Sequence, residues 1–226
     1  MSHTTSDALT GDPSVPALTD TPAELAYELR AAEGAFWTGA RLCIGIGIFA
    51  DASLAFSYFY LRSADNAGLW RPGGLTAPTA TGAAVMAFAV AAAGLAYLAV
   101  RRFRSGQMVD WQVAGWTAVV SGLIAVGIQI YQLTRLPFFP GSSGYSSCFV
   151  GWAVLNTVML LCAVYWSETL LARFMRLRRA FSEEGGSMEG PLPAVRLFRA
   201  SAEGAAAFWT FMAIAELFFW LLFYVI

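Results

Sequence analysis

Side chains able to coordinate a metal or carry out acid–base work are scarce in this chain, and their positions restrict its chemistry. The one histidine, His3, lies in a polar N-terminal segment, and the three cysteines, Cys43, Cys148 and Cys162, share no metal-ligand spacing. Haem iron in membrane proteins is commonly held by histidine, and copper needs imidazole or thiolate ligands grouped in space. The sequence therefore predicts no haem, copper or other cofactor held by this chain. No P-loop, GxSxG or HExxH pattern is present, so no catalytic residue is assigned.

What remains is a set of polar residues inside apolar stretches: Asp51, Gln129, Gln132, Asn156, Glu168 and Glu216. An ionised carboxylate at the centre of a membrane span costs about 2.5–3.5 kcal/mol, so Asp51 and Glu216 are expected to face protein. Two roles fit them: a proton-supply or lipid-headgroup role, and a neutral carboxyl hydrogen-bonded between helices. Gln129, Gln132 and Asn156 suit interhelical hydrogen bonds, worth about 0.6 kcal/mol each. Glu168 stands one turn and a residue before Arg173, which predicts an interfacial ion pair. The cluster Arg173, Arg176, Arg178 and Arg179 is a candidate phospholipid-headgroup site, at about 1 kcal/mol per residue beside an anionic leaflet. It serves equally well as a topology signal.

The elements that must position these residues follow from composition and periodicity. Of 226 residues 58% are hydrophobic and only 13% charged, too few charges for a water-soluble surface. The sequence predicts an all-α integral membrane protein, a bundle of five transmembrane helices with an N-terminal surface helix. Residues 1–21 read as a disordered polar tail without the basic and apolar regions of a signal peptide. Thr21-Pro22-Ala23-Glu24 has the layout of a capping box and opens an expected amphipathic helix over 22–37. The membrane domain covers 38–226, with spans near 40–61, 80–100, 113–134, 145–171 and 205–226. The fourth span is expected to continue as an arginine-rich helix ending at Gly185-Gly186. A further helix, starting after Pro191 and Pro193, should run unbroken into the fifth span. The stripe Trp209, Met212, Phe219, Trp220 and Phe223 reads as lipid-facing or partner-facing packing.

All fourteen basic residues are arginine, and their placement predicts a topology. Eleven fall before the first span or in the connections around 101–112 and 172–204, whereas Arg62, Arg71 and Arg135 fall on the other side. The positive-inside rule then puts the N-terminus in the cytoplasm and Ile226 outside, in a multi-pass protein of the bacterial cell membrane. With that topology Asp51, Asn156 and Glu216 all lie about 13–16 Å below the outer boundary, which predicts one polar layer.

Read in order, the spans resemble subunit III of the haem-copper oxidases, in a short five-helix form. Tyr58-Phe59-Tyr60-Leu61-Arg62 is similar to the Tyr-Phe-His ending of that family's glutamate-bearing helix. The run Leu69-Trp70-Arg71-Pro72-Gly73-Gly74 resembles its Trp-Pro-Pro-x-Gly loop, and Gln129 matches the Gln of its Gln-x-x-Glu-Tyr. Gly144-Tyr145-Ser146-Ser147-Cys148-Phe149 follows its Tyr-Gly-Ser-x-Phe entry, and Phe208-Trp209-Thr210-Phe211 its Tyr-Trp-His-Phe helix. The family's polar residues are replaced: Gly47 stands for its glutamate, Gln132 for the glutamate of Gln-x-x-Glu, Asn156 and Met159 for two histidines, and Ala213 for an aspartate. The resemblance implies an accessory subunit of a cytochrome c or quinol oxidase. Its partners would be the catalytic subunit I, subunit II and membrane lipids, with no nucleic acid. Haem and copper would reside in the partner subunits, and phospholipid would be this chain's own ligand. A nitric oxide reductase-associated accessory protein of the same superfamily, and a small membrane transporter or ligand-binding protein, are the competing readings.

Overall fold

The computed structural model describes residues 22–65, 68–183 and 193–226; the expected polar tail 1–21 and the helix end at Gly185-Gly186 lie outside them. Among the described residues the chain is helical throughout, with five helices long and apolar enough to cross a membrane. They are α1 (Pro22–Ser63), α2 (Thr79–Arg104), α3 (Met108–Thr134), α4 (Gly144–Glu183) and α5 (Pro193–Trp220). A single 3-10 turn (Pro72–Gly74) lies between α1 and α2, and a π turn (Leu221–Val225) ends α5.

One expectation is corrected. Residues 22–37 are not a separate surface helix; they are the first turns of α1, which runs 42 residues without a break. Between Pro22 and Pro72 there is no proline to end a helix, and glycines alone weaken one without breaking it. At 1.5 Å per residue α1 is about 63 Å long, twice a ~30 Å hydrocarbon core. Helix α4, of 40 residues, likewise extends well past its apolar stretch as the sequence predicts.

Helices α2 and α3 form an antiparallel hairpin. Its link is three residues long, and Gly106 at φ 76° lets the chain reverse while the Gln107 N–H caps the Arg102 carbonyl at 3.0 Å. Helix α5 is central: it packs against α1, α2 and α4. Helix α1 is peripheral, held by α5 and α4, and forms no substantial interface with α2. Only 11% of its apolar window is buried, against 44% for α3, α4 and α5, so most of its surface faces outward.

Small residues let the helices approach. A Cβ added at Gly122 would lie 2.7 Å from both the Trp209 ring and Val164, so α3 meets α4 and α5 there backbone to side chain. Of the stripe expected to face lipid or a partner, Trp209, Met212, Phe219 and Phe223 are instead core, each 1% exposed or less, and Trp220 is half-buried. The central position of α5 explains the difference, since a helix surrounded by partners is apolar on nearly every face.

Aromatic clusters close both ends. At the arginine-rich end Phe103, Trp111, Phe174 and Phe198 bring α2, α3, α4 and α5 together, with Trp111 and Phe174 centroids 4.3 Å apart. At the other end Tyr58, Trp70, Tyr145, Phe149 and Phe223 pack edge to face.

Candidate functional site

The polar residues of the spans do not scatter; four of them form one buried layer. Gln129 and Gln132 sit three apart on one face of α3, Asn156 on α4 and Glu216 on α5, and all four are at most 4% exposed. The Asn156 amide donates to Glu216 Oε1 and, at 3.4 Å, to Gln129 Oε1. Gln129 Nε2 donates to Gln132 Oε1 at 3.0 Å. Gln132 Nε2 donates in turn to the Tyr224 hydroxyl at 2.7 Å and the Pro78 carbonyl at 3.1 Å. Three helices and the start of α2 are thus joined by one chain of hydrogen bonds running from Glu216 toward the arginine-poor end.

Asp51 stays outside this chain. It is half-buried on α1, near enough to Glu216 for their carboxyls to interact electrostatically, yet it makes no side-chain hydrogen bond among the described residues. Gly47, one helical turn earlier, explains the closeness of α1 here: a Cβ there would lie 2.6 Å from the Phe211 ring.

The layer's donor set is three amides and one carboxyl, with no imidazole or thiolate. It does not suit haem iron or copper. Among the described residues no three His, Cys, Asp or Glu side chains converge as a metal site would require. What the arrangement does provide is a carboxyl held in the protein interior with an amide donor fixed on it, at the depth where three helices cross.

No protein-family model matches the chain, and no curated protein matches it.

At the arginine-rich end the expected pair Glu168–Arg173 does not form: Glu168 is exposed, and the ion pairs among the described residues do not include it. Five residues along a helix turn through about 140° beyond a full circle, so the two side chains point apart. Other carboxylates take the arginines instead. Glu203 on α5 accepts from Arg104 of α2 at 2.6 Å and from Arg199 at 2.9 Å, and Glu33 of α1 pairs with Arg196 of α5 at 2.7 Å. Of the candidate headgroup residues, Arg173 and Arg176 line an apolar groove of about 500 Å³ with Phe36, Leu170 and Leu177. Arg178 donates to Gln112 Oε1 at 3.1 Å, and Arg179 is exposed.

Sequence reasoning missed a second polar cluster, at the arginine-poor end. The last carbonyls of α5 are left free by the helix terminus and are taken by side chains from elsewhere. Tyr58 Oη donates to the Leu222 carbonyl at 2.9 Å, and Tyr145 Oη and Arg71 Nη2 both donate to that of Phe223, at 3.2 and 3.1 Å. Arg71 also lies over the Tyr145 ring, 4.4 Å from its centroid. The signal available was a tyrosine ending one span, an arginine in a turn and a tyrosine opening another, each inside a motif already singled out.

Proposed function

We propose that this chain is an accessory subunit without a redox centre, similar to subunit III, of a respiratory haem-copper terminal oxidase in the bacterial cell membrane. The arginine-rich end would be cytoplasmic and the end bearing Tyr58, Tyr145 and Tyr224 external. Oxygen reduction would belong to the catalytic subunit, with haem and copper bound there. This chain would support that subunit's stability and proton supply.

The observation that carries the reading is where the resemblance-bearing residues lie. Tyr58, Trp70, Gln129, Tyr145, Phe149 and Trp209 come from five separate stretches and are each at most 9% exposed, whereas Phe59, Tyr60 and Leu69 of the same stretches face outward. The buried six are the residues that hold the polar layer, the closed end and the α3–α5 contact. The transporter reading is less well supported, because the layer's amides are directed at one another and at its carboxyl, not at a central cavity.

The test is purification of the tagged chain from its native membrane in mild detergent. A haem-copper catalytic subunit should co-purify, with a Soret band in the complex that is absent from the isolated chain. A catalytic subunit of nitric oxide reductase would select the alternative within the superfamily. A monodisperse chain with no haem-bearing companion would overturn both.

A further inference from the structure

Helices α1 and α4 run antiparallel, and a series of close approaches fixes their register. A Cβ added at Gly144 would lie 3.5 Å from Leu61, and one at Gly151 would lie 3.7 Å from Leu54. A Cβ added at Gly47 would lie 2.7 Å from Met159 Cε, and Ala40 and Trp166 both reach Gly204 of α5. Each step back along α1 is thus matched by an equal step forward along α4. The two helices stay in step over about 30 Å.

This register brings two thiols level. Eleven residues make three helical turns and return to nearly the same face. Eleven before Leu54 on α1 stands Cys43, and eleven after Gly151 on α4 stands Cys162. Both are free and exposed. The next residue on each helix, Ile44 and Ala163, packs in the core, so the two cysteines lie toward the outer edge of the α1–α4 contact. Arg41, two residues before Cys43, and Glu168, six after Cys162, are exposed. The pair therefore sits within two turns of the charged rim at the arginine-rich end, where small polar oxidants arrive from water. Cys148, the remaining cysteine, is buried among aromatic rings near the opposite end.

We propose that Cys43 and Cys162 form a peroxide-sensitive dithiol that closes to a disulfide between α1 and α4. Hydrogen peroxide transfers one oxygen to the first sulfur, its O–O bond breaks, and a sulfenic acid and one water result. The second thiol attacks that sulfur, the S–S bond forms, and the second water leaves. Two molecules of a small thiol reverse the step and leave as their own disulfide. The bond fastens the helix with the least buried apolar window, α1, to a neighbour other than α5. The inference is independent of the oxidase reading.

The test uses the full chain with Cys148→Ala, treated with hydrogen peroxide in membrane vesicles and digested without reduction. The peptide bearing Cys43 should appear joined to the one bearing Cys162, two hydrogens lighter than the separate pair, and dithiothreitol should release it. Dimedone, which traps sulfenic acids, should label C43S or C162S after peroxide, because the sulfenic acid then has no thiol to meet. Moving one thiol off the shared face, in C162A/L161C, should abolish the joined peptide, since adjacent helical residues point about 100° apart. Thiols that both remain open to alkylation after peroxide, a link formed only between two chains, or an equal yield from C162A/L161C would each overturn the proposal. Absence of dimedone label from both single variants would overturn the peroxide step.

Discussion

Replacing Asn156 with leucine, a side chain of similar size, tests whether the polar layer is a mechanical unit. Asn156 makes two interhelical hydrogen bonds, to Glu216 and Gln129, worth about 1.2 kcal/mol together. Its loss also leaves the Glu216 carboxyl, 1% exposed, without the amide that faces it, which adds about 1–3 kcal/mol. Asn156→Leu should therefore destabilise the chain by about 2–4 kcal/mol. Glu216→Leu alone should cost somewhat less, because the Asn156 amide loses this acceptor but keeps Gln129 Oε1. The double variant removes both partners and should cost less than the sum of the single changes, by about 1–3 kcal/mol. The measurement is denaturant-driven unfolding in mixed micelles, followed by tryptophan fluorescence for wild type, both single variants and the double. Additivity within about 0.5 kcal/mol would refute the reasoning, since it would mean that the two side chains do not depend on each other.

Gly122→Ala should destabilise by about 1–3 kcal/mol, because its Cβ would meet the fully buried Trp209 ring; the same change at Gly94, which faces open space, should be neutral or stabilising, as thermal melts of the two would show. Trp111→Ala should cost about 3–5 kcal/mol and expose the arginine-rich ends of α4 and α5 to limited proteolysis, since Trp111 contacts both Phe174 and Phe198. Tyr58→Phe should lower stability by about 1 kcal/mol through loss of the bond to the Leu222 carbonyl, read in the same unfolding assay. Reporter fusions at the two ends of the chain should report opposite sides of the membrane, as five spans require; the same side for both would mean that a helix does not cross.

Much of this architecture is legible in the sequence because apolar length and arginine placement are local signals. The five helices, the extension of α4 and the start of α5 at Pro193 all follow from runs and breakers. The polar layer is legible in part. Gln129 and Gln132 share a helix face by spacing alone, and depth counting places Asn156 and Glu216 together. Asp51 is placed at the same depth, but depth does not fix rotation about the helix axis. Its carboxyl comes near Glu216 without joining the hydrogen bonds. Tyr224 could not be anticipated as the layer's other terminus, since it becomes one only through the π turn at the end of α5. The continuity of α1 was hidden for a different reason. Its polar first turns resemble a surface helix in composition, and only the lack of any breaker before Pro72 argues otherwise. The buried stripe of α5 was misread because apolarity on all sides describes a lipid-exposed helix and a central one equally.

The centrality of α5 also governs the order in which the molecule can be built. Helix α1 is synthesised well before α5, the partner that holds it most extensively, with Glu33 and Arg196 paired across 163 positions of chain. Until α5 arrives, α2 and α3 can close as a hairpin on their own short link, whereas α1 has only α4 to lean on. Until then α1 is held by α4 alone, with the surface that α5 covers left open. Chains interrupted before residue 193 would remain in that state.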